Sequence, residues 1–233
     1  MKTFYYFNDK NFPIQVTRQT VSKIPYTFNP NGILWENASL KQFFSNINPN
    51  EPCTIIDVGA QAGLYSLYAK YLPQSTFYSF EPFKLAYTLL EDNIKLNNLG
   101  NIIPHNIALS DKKENKLLHV SKVNPGLNTL GNNVLRFSDG HEVLIECDTI
   151  DNLFAKRDIP VDYIKIDTEG WEYFVLHGAL ETIKKYRPTI QLEWNTTNMC
   201  QCNIKEEQLK DLLFDLGYKQ QSHVEEEKLF VPT

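Results

Sequence analysis

The sequence has few of the features that would place it outside ordinary globular proteins. It has only four cysteines, Cys53, Cys147, Cys200 and Cys202, and they form no disulfide framework. Cys53 and Cys147 open apolar, strand-like segments, where thiols are usually buried and inert. Cys200-Gln201-Cys202 has no second pair and no nearby His to complete a zinc site. Positive charge is also short. Lys plus Arg is 23 against 28 Asp plus Glu, a net −5, which argues against a nucleic-acid binder that relies on neutralising phosphates. No apolar run approaches the roughly 20 residues needed to cross a bilayer. The aromatic cluster Phe4-Tyr5-Tyr6-Phe7 is too short for a signal-peptide core, and no small-residue cleavage site follows it. These absences make the cytoplasm the expected compartment, with neither a membrane nor a nucleic acid as partner. There is no internal repeat and no low-complexity segment.

What is present is core-forming bulk. The chain is 42% hydrophobic, with 14 Phe and 12 Tyr among its 233 residues, enough for one domain with a modest appendage. Residues 1–50 are rich in Asn, Pro and aromatics without a strong period, and read as an N-terminal cover. Pro25, Pro30 and Asn31-Gly32 mark turns in it, and a short helix is expected over Ser39–Asn46 with Ser39 as its cap. Its Tyr and Trp residues read as core rather than as sugar-stacking platforms. The main domain, 51–233, follows a Pro- and Asn-rich boundary.

From Cys53 the pattern is regular. Thr54–Val58 is a strand, Leu64–Tyr71 has helical spacing, and Thr76–Phe80 is a second strand. Phe83–Asn98 is a long amphipathic helix stopped by Gly100, and Ile102–Leu109 is a third strand. Such β-α-β-α-β alternation predicts an α/β fold, a parallel sheet with helices on both faces. Residues 111–148 break the pattern. Lys116–Val120 and Val143–Cys147 read as an inserted hairpin around a polar loop, Asn124–Asn133, of a length usually reserved for function or mobility. Then follow a short helix (Asp148–Lys156), a strand ending at Asp167, a helix (Trp171–Lys185), a strand (Thr189–Trp194) and a helix (Glu206–Leu216) ended by Gly217. Tyr218–Ser222 and Lys228–Val231 close the sheet as an antiparallel pair.

The first strand ends in Asp57-Val58-Gly59-Ala60-Gln61-Ala62-Gly63. Glycines after a strand let the backbone pass close to a ligand, and a helix N-terminus supplies free N–H groups. A dinucleotide loop would read G-x-G-x-x-G, whereas this one reads D-x-G-x-x-x-G. Asp57 would oppose a diphosphate and suits a cationic ligand. S-adenosylmethionine, with its sulfonium and ammonium, fits better than NAD. Glu81 ends the second strand 24 residues after Asp57, at a spacing that lets an acid accept both hydroxyls of an adenosine ribose. Asn106 and Ala108, at the end of the third strand, would border the adenine.

Ile164-Lys165-Ile166-Asp167-Thr168-Glu169-Gly170-Trp171-Glu172 is the most unusual segment. Lys165 lies mid-strand, where burial calls for an acidic partner, and Asp167 shares its face. Asp167 and Glu169 stand where a methyl donor would point. They could orient an acceptor hydroxyl, take its proton or hold a divalent cation. Glu172 reads as an acid in a helix's first turn, and Glu193 is a weaker candidate for the same pocket.

Together Asp57–Ser66, Phe80-Glu81-Pro82, Asn106–Asp111 and Lys165–Glu172, continued by Arg187-Pro188 and Glu193, resemble the FkbM family of S-adenosylmethionine-dependent methyltransferases. The resemblance covers about Cys53–Trp194. It implies a class I methyltransferase, Rossmann-like fold with a seven-stranded sheet, and O-methylation of sugar or natural-product hydroxyls. By position, Asp57, Gly59, Ala60, Gln61, Gly63, Glu81, Pro82, Asn106 and Ala108 would hold the donor. Asp167 and Glu169 would face the acceptor, with Asp167 at the junction of both sites. The family's loop usually carries Asn where this chain has Gln61. No dedicated metal ligand set is implied, and the need for a divalent cation stays open. The expected partner is a small-molecule or glycan acceptor. The rivals are an NAD-dependent oxidoreductase on the same architecture and a non-catalytic nucleoside-binding module.

Overall fold

The computed structural model describes residues 2–9, 12–19, 37–121, 125–131 and 140–233, the first two stretches as backbone. The turns expected at Pro25, Pro30 and Asn31-Gly32 lie outside the described residues, as do Asn124, Asn132 and Asn133. The N-terminal segment holds a hairpin that its composition hides. β1 (Lys2–Asp9) pairs antiparallel with β2 (Phe12–Gln19). α1 (Asn37–Phe44) starts two residues before the expected cap, and Ser39 is fully buried inside it. Leu40 and Phe43 of α1 join the core formed by Ile55 and Phe77 of the main sheet. Burial of each such side chain stabilises by roughly 2 kcal/mol.

The main sheet grows from β3 (Thr54–Val58), β4 (Thr76–Phe80) and, beyond α2 (Lys84–Leu96), β5 (Ile102–His105), all parallel. Ser66–Tyr71 is a 3-10 helix rather than an α-helix. Tyr65, Tyr68 and Tyr71 recur at every third residue, the 3-10 period, and Phe44 stacks on Tyr68 at 4.3 Å.

The expected third strand is broken. After β5 the chain turns at Asn106, and β6 (Ala108–Leu109) joins a separate three-stranded sheet with β7 (Glu114–Val120) and β8 (His141–Asp148). That sheet is the inserted hairpin expected around 111–148.

Beyond it come α3 (Ile150–Leu153), a 3-10 turn at Ala155–Arg157, and β9 (Tyr163–Ile166). The single helix expected over Trp171–Lys185 is two, α4 (Glu172–His177) and α5 (Leu180–Tyr186). They part at Gly178, where a Cβ would lie 1.9 Å from the carbonyl oxygen of Ser110. β10 (Thr189–Glu193), α6 (Thr196–Gln201), α7 (Glu206–Asp215), β11 (Tyr218–Val224) and β12 (Glu227–Pro232) complete the order.

The seven strands lie as β11-β12-β10-β9-β3-β4-β5. β12, the last in sequence, inserts antiparallel between β10 and β11. This is the α/β, mostly parallel, class I methyltransferase arrangement that the pattern and the resemblance imply. Period-2 alternation divides its two faces. Ile56, Val58, Ile164, Ile166, Ile190 and Leu192 pack under α4, α5 and α7, while Ile55 and Phe77 pack under α1. Among the described residues all four cysteines are free. Burial pushes the Cys147 thiol up to about 11 and the Cys202 thiol up to about 12. No helix among the described residues is long and apolar enough to cross a membrane.

Candidate active site

Polar residues interrupt the α1 face of the sheet in one line. Strand register sets Ser79, Asp57, Lys165 and Gln191 side by side across β4, β3, β9 and β10. All four are buried, so each needs a partner. Ser66 Oγ donates to Asp57 and lies 2.6 Å from Ser79 Oγ. Gln191 donates to the Tyr65 hydroxyl at 3.0 Å. Lys165, 1% exposed, puts Nζ 2.6 Å from Glu227 Oε1 and 3.4 Å from Asp167 Oδ2. The expected partner Asp167 is therefore the farther of two. The nearer, Glu227, arrives from β12, opposite Glu193.

Asp57 and Lys165 of this line face a cleft of about 350 Å³ over the carboxyl ends of the parallel strands. Ligands in open α/β sheets sit there, and the volume suits a small-molecule site. Of the residues expected at a donor site, Asp57, Gly59, Ala60, Gln61, Glu81, Pro82, Ala108 and Asp167 line it. Gly63 does not. It turns at φ +96° where a Cβ would lie 2.6 Å from Leu90, so it serves the packing of the loop on α2. Asn106 also stays off the cleft wall. Its amide donates to the carbonyls of Glu81 (2.8 Å) and Pro82 (2.9 Å) and so holds the end of β4 rather than a ring edge.

The loop is tightly built. Gly59 has φ +80°, and a Cβ there would stand 1.8 Å from the Asp167 carbonyl oxygen. Gln61 has φ +50°, a left-handed conformation that costs a non-glycine residue about 1 kcal/mol. That strain aims the Gln61 N–H at Glu81 Oε2 (2.9 Å), while Phe83 N–H reaches Glu81 Oε1 (2.8 Å). Both carboxylate oxygens are thus oriented at the cleft wall, each with acceptor capacity left. Burial pushes Glu81 up to about 7 against those two hydrogen bonds. Burial likewise pushes Asp57 up to about 6, opposed by Ser66 and Lys165.

The opposite end of the cleft is acidic. Asp167 leaves β9, Glu169 follows with φ +55°, and Glu193 ends β10. Their carboxylate oxygens lie within 4.8 Å of one another. Glu193 is held well above the usual carboxylate range by burial and by the charges of Asp167, Glu172 and Glu169. Asn198 Nδ2 donates to Glu169 Oε2 at 2.9 Å and reaches Glu193 Oε1 at 3.4 Å. Sequence reasoning missed Asn198 and Glu227. Glu172 stands where the helix-start reading puts it. Its Oε1 accepts from Thr168 N, Thr168 Oγ1 and Gly170 N, bracing the turn that carries Asp167 and Glu169. Gly126, Leu127, Asn128, Thr129 and Leu130 of the inserted loop wall this end, and Thr129 Oγ1 donates to the Glu169 carbonyl at 2.8 Å.

The family model described as Methyltransferase FkbM domain matches residues 57–219, from Asp57 to the start of β11. The chain belongs to the FkbM methyltransferase family. The chain is 27% identical over 144 residues to "Methyltransferase 1" of Beauveria bassiana, covering 53% of this chain and 57% of that protein. It is 26% identical over 171 residues to a Methanocaldococcus jannaschii protein named tRNA(Phe) (4-demethylwyosine(37)-C(7)) aminocarboxypropyltransferase, covering 68% of this chain and 65% of that one. The crystal structure of methyltransferase FkbM from Methylobacillus flagellatus shares the fold with a TM-score of 0.53 at 16% identity, covering 80% of this chain and 45% of that one. The matches span about three fifths of the length of these curated relatives. Residues 57–219, the family match, contain the glycine loop, Glu81 and the acids Asp167, Glu169 and Glu193.

Proposed function

We propose that this chain is an S-adenosylmethionine-dependent O-methyltransferase acting on a hydroxyl of a sugar, glycan or small natural product. The observation that carries the reading is the polarity of one cleft. A carboxylate braced by two backbone N–H groups, Glu81, stands at one end, and three carboxylates stand at the other. The residues fit the donor. Glu81 can accept two ribose hydroxyls, Ala60 and Ala108 leave room for a flat base, and Asp57 and Asp167 supply negative potential for a cation. When bound, the donor supplies an activated methyl group and its own leaving group, a neutral thioether.

The protein's task is then alignment and proton handling. Asp167 or Glu169 hydrogen-bonds the acceptor hydroxyl and takes its proton as the oxygen bonds carbon. The loop over 125–131 excludes water from that end. Asp167, Glu169 and Glu226 at the cleft repel a polyanion, which favours a neutral hydroxyl compound over a nucleic acid. Asp57 at the strand end disfavours the pyrophosphate of NAD.

The test is a screen for S-adenosylhomocysteine release with sugars, small alcohols and transfer RNA, using the wild-type chain and Asp167→Asn. The expected result is turnover with a hydroxyl compound, lowered at least about a hundredfold in the variant, with donor affinity kept within a few-fold. Donor binding without release from any acceptor would make the chain a non-catalytic binding module instead.

A further inference from the structure

We propose that Asp167, Glu169 and Glu193, with Asn198, form a binding site for one hard divalent cation at the acceptor end of the cleft. The inference rests on the methyl-transfer reading for the cation's use, but not for its binding. Three carboxylate oxygens, one from each acid, lie within 4.8 Å of one another. Two oxygens on one ion are separated by at most twice the ion–oxygen distance. That limit is about 4.2 Å for magnesium and roughly 4.6–5.2 Å for calcium. A bound of 4.8 Å on each pair is compatible with the calcium span, and magnesium or manganese requires the side chains to close further around the ion.

Two further atoms point to a ligand. Glu193 is 8% exposed, and its Oε2 is buried with no hydrogen-bond partner among the described residues. Asn198 is 1% exposed, and its Oδ1 is likewise buried and without a partner. Both residues line the cleft. Buried polar atoms are nearly always satisfied by protein, water or an ion. A half-turn of the Asn198 amide replaces Nδ2, which now touches Glu169 and Glu193, with a carbonyl oxygen. The result is an all-oxygen donor set, the chemistry of magnesium, manganese or calcium rather than zinc.

Lys165 is 2.6 Å from Glu227 and 3.4 Å from Asp167, so its charge is shared with an acid outside the cluster. A cation here takes an acceptor oxygen in an open position and favours its ionised form. The proton leaves to solvent or to a carboxylate oxygen not on the metal. The new O–C bond forms as the C–S bond of the donor breaks.

The experiment titrates manganese chloride into the metal-stripped chain, followed by calorimetry and electron paramagnetic resonance, with the donor titrated separately in chelator. The expected result is one manganese per chain, displaced by magnesium or calcium, and at least tenfold weaker in Glu193→Gln and in Glu169→Gln. Donor binding in chelator shows that each variant is folded. Absence of stoichiometric binding at millimolar manganese, or binding unchanged in both variants, overturns the proposal. If the donor binds in chelator while manganese does not, the cation site fails and the methyltransferase reading stands. If manganese binds and the donor does not, the reverse holds.

Discussion

Replacing Glu81 by glutamine tests the donor end of the cleft with one atom changed. In the native chain Oε1 and Oε2 accept from Phe83 N–H at 2.8 Å and Gln61 N–H at 2.9 Å. A glutamine keeps one acceptor and turns an NH2 toward the other N–H. One backbone donor is then left unsatisfied, costing roughly 1–3 kcal/mol, and one of two charge-assisted hydrogen bonds to ribose hydroxyls disappears. The first cost is present with or without donor and lowers fold stability; the second, up to about 3 kcal/mol for a charge-assisted hydrogen bond, corresponds to donor affinity up to roughly a hundredfold weaker. The same side chain predicts a pH dependence. Burial raises Glu81 to about 7, and only the ionised form accepts two hydroxyls. Native affinity should therefore fall about tenfold from pH 8 to pH 6, and Glu81→Gln should flatten the profile. The ligand-free fold should change in the opposite sense. A folded carboxyl that keeps its proton to a higher pH than the unfolded one makes the fold lose stability as pH rises from about 4.5 through about 7, by on the order of 3 kcal/mol. Calorimetric titration of S-adenosylmethionine between pH 6 and 8, with urea melts of the ligand-free chain, reads both. A native affinity independent of pH, or a variant that binds as tightly as the native chain, would refute this role for Glu81.

Gly59→Ala should abolish folding or cost at least about 3 kcal/mol in urea melts, because its Cβ would stand 1.8 Å from the Asp167 carbonyl at φ +80°. Lys165→Met leaves the Glu227 carboxylate buried without its cation and should destabilise by roughly 3–5 kcal/mol. Adding Glu227→Gln should recover a large part of that loss in the same assay, and no recovery would show that the pair is not coupled. Glu172→Ala removes an acceptor shared by Thr168 and Gly170. It should lower the melting temperature and cut turnover by slackening the turn under Asp167 and Glu169, with donor affinity little changed.

Local grammar carried much of the fold into view. The strand–glycine–helix signal at Asp57–Gly63, the acid at Glu81 and the alternation of β9 and β10 are each written within a few residues, and the described structure has strands at those places. Features set by distant packing were not visible. Lys165 advertised its need for an acid, but Asp167, two residues away, was the partner within reading range. Glu227 lies 62 residues on and comes close only because β12 inserts beside β10. Asn198 sits on a one-and-a-half-turn helix whose sequence, Thr196–Gln201, has no strong apolar period. The break between α4 and α5 depends on the approach of Ser110 to Gly178, and the split of the third strand depends on Asn106 bonding back to Glu81 and Pro82. In the candidate site, the residues that line the cleft around Asp57 and Glu81 could be picked out because glycine and acid spacing is local. Asn106 and Gly63 carried the same signal and support the loop and strand end instead.

The most direct measurement is calorimetric titration of the purified chain with S-adenosylmethionine and, separately, with NAD. One S-adenosylmethionine is expected to bind per chain, weakened up to roughly a hundredfold by Glu81→Gln, with no heat from NAD. Binding of NAD in its place, or no binding of S-adenosylmethionine by a chain that melts cooperatively, would contradict this expectation.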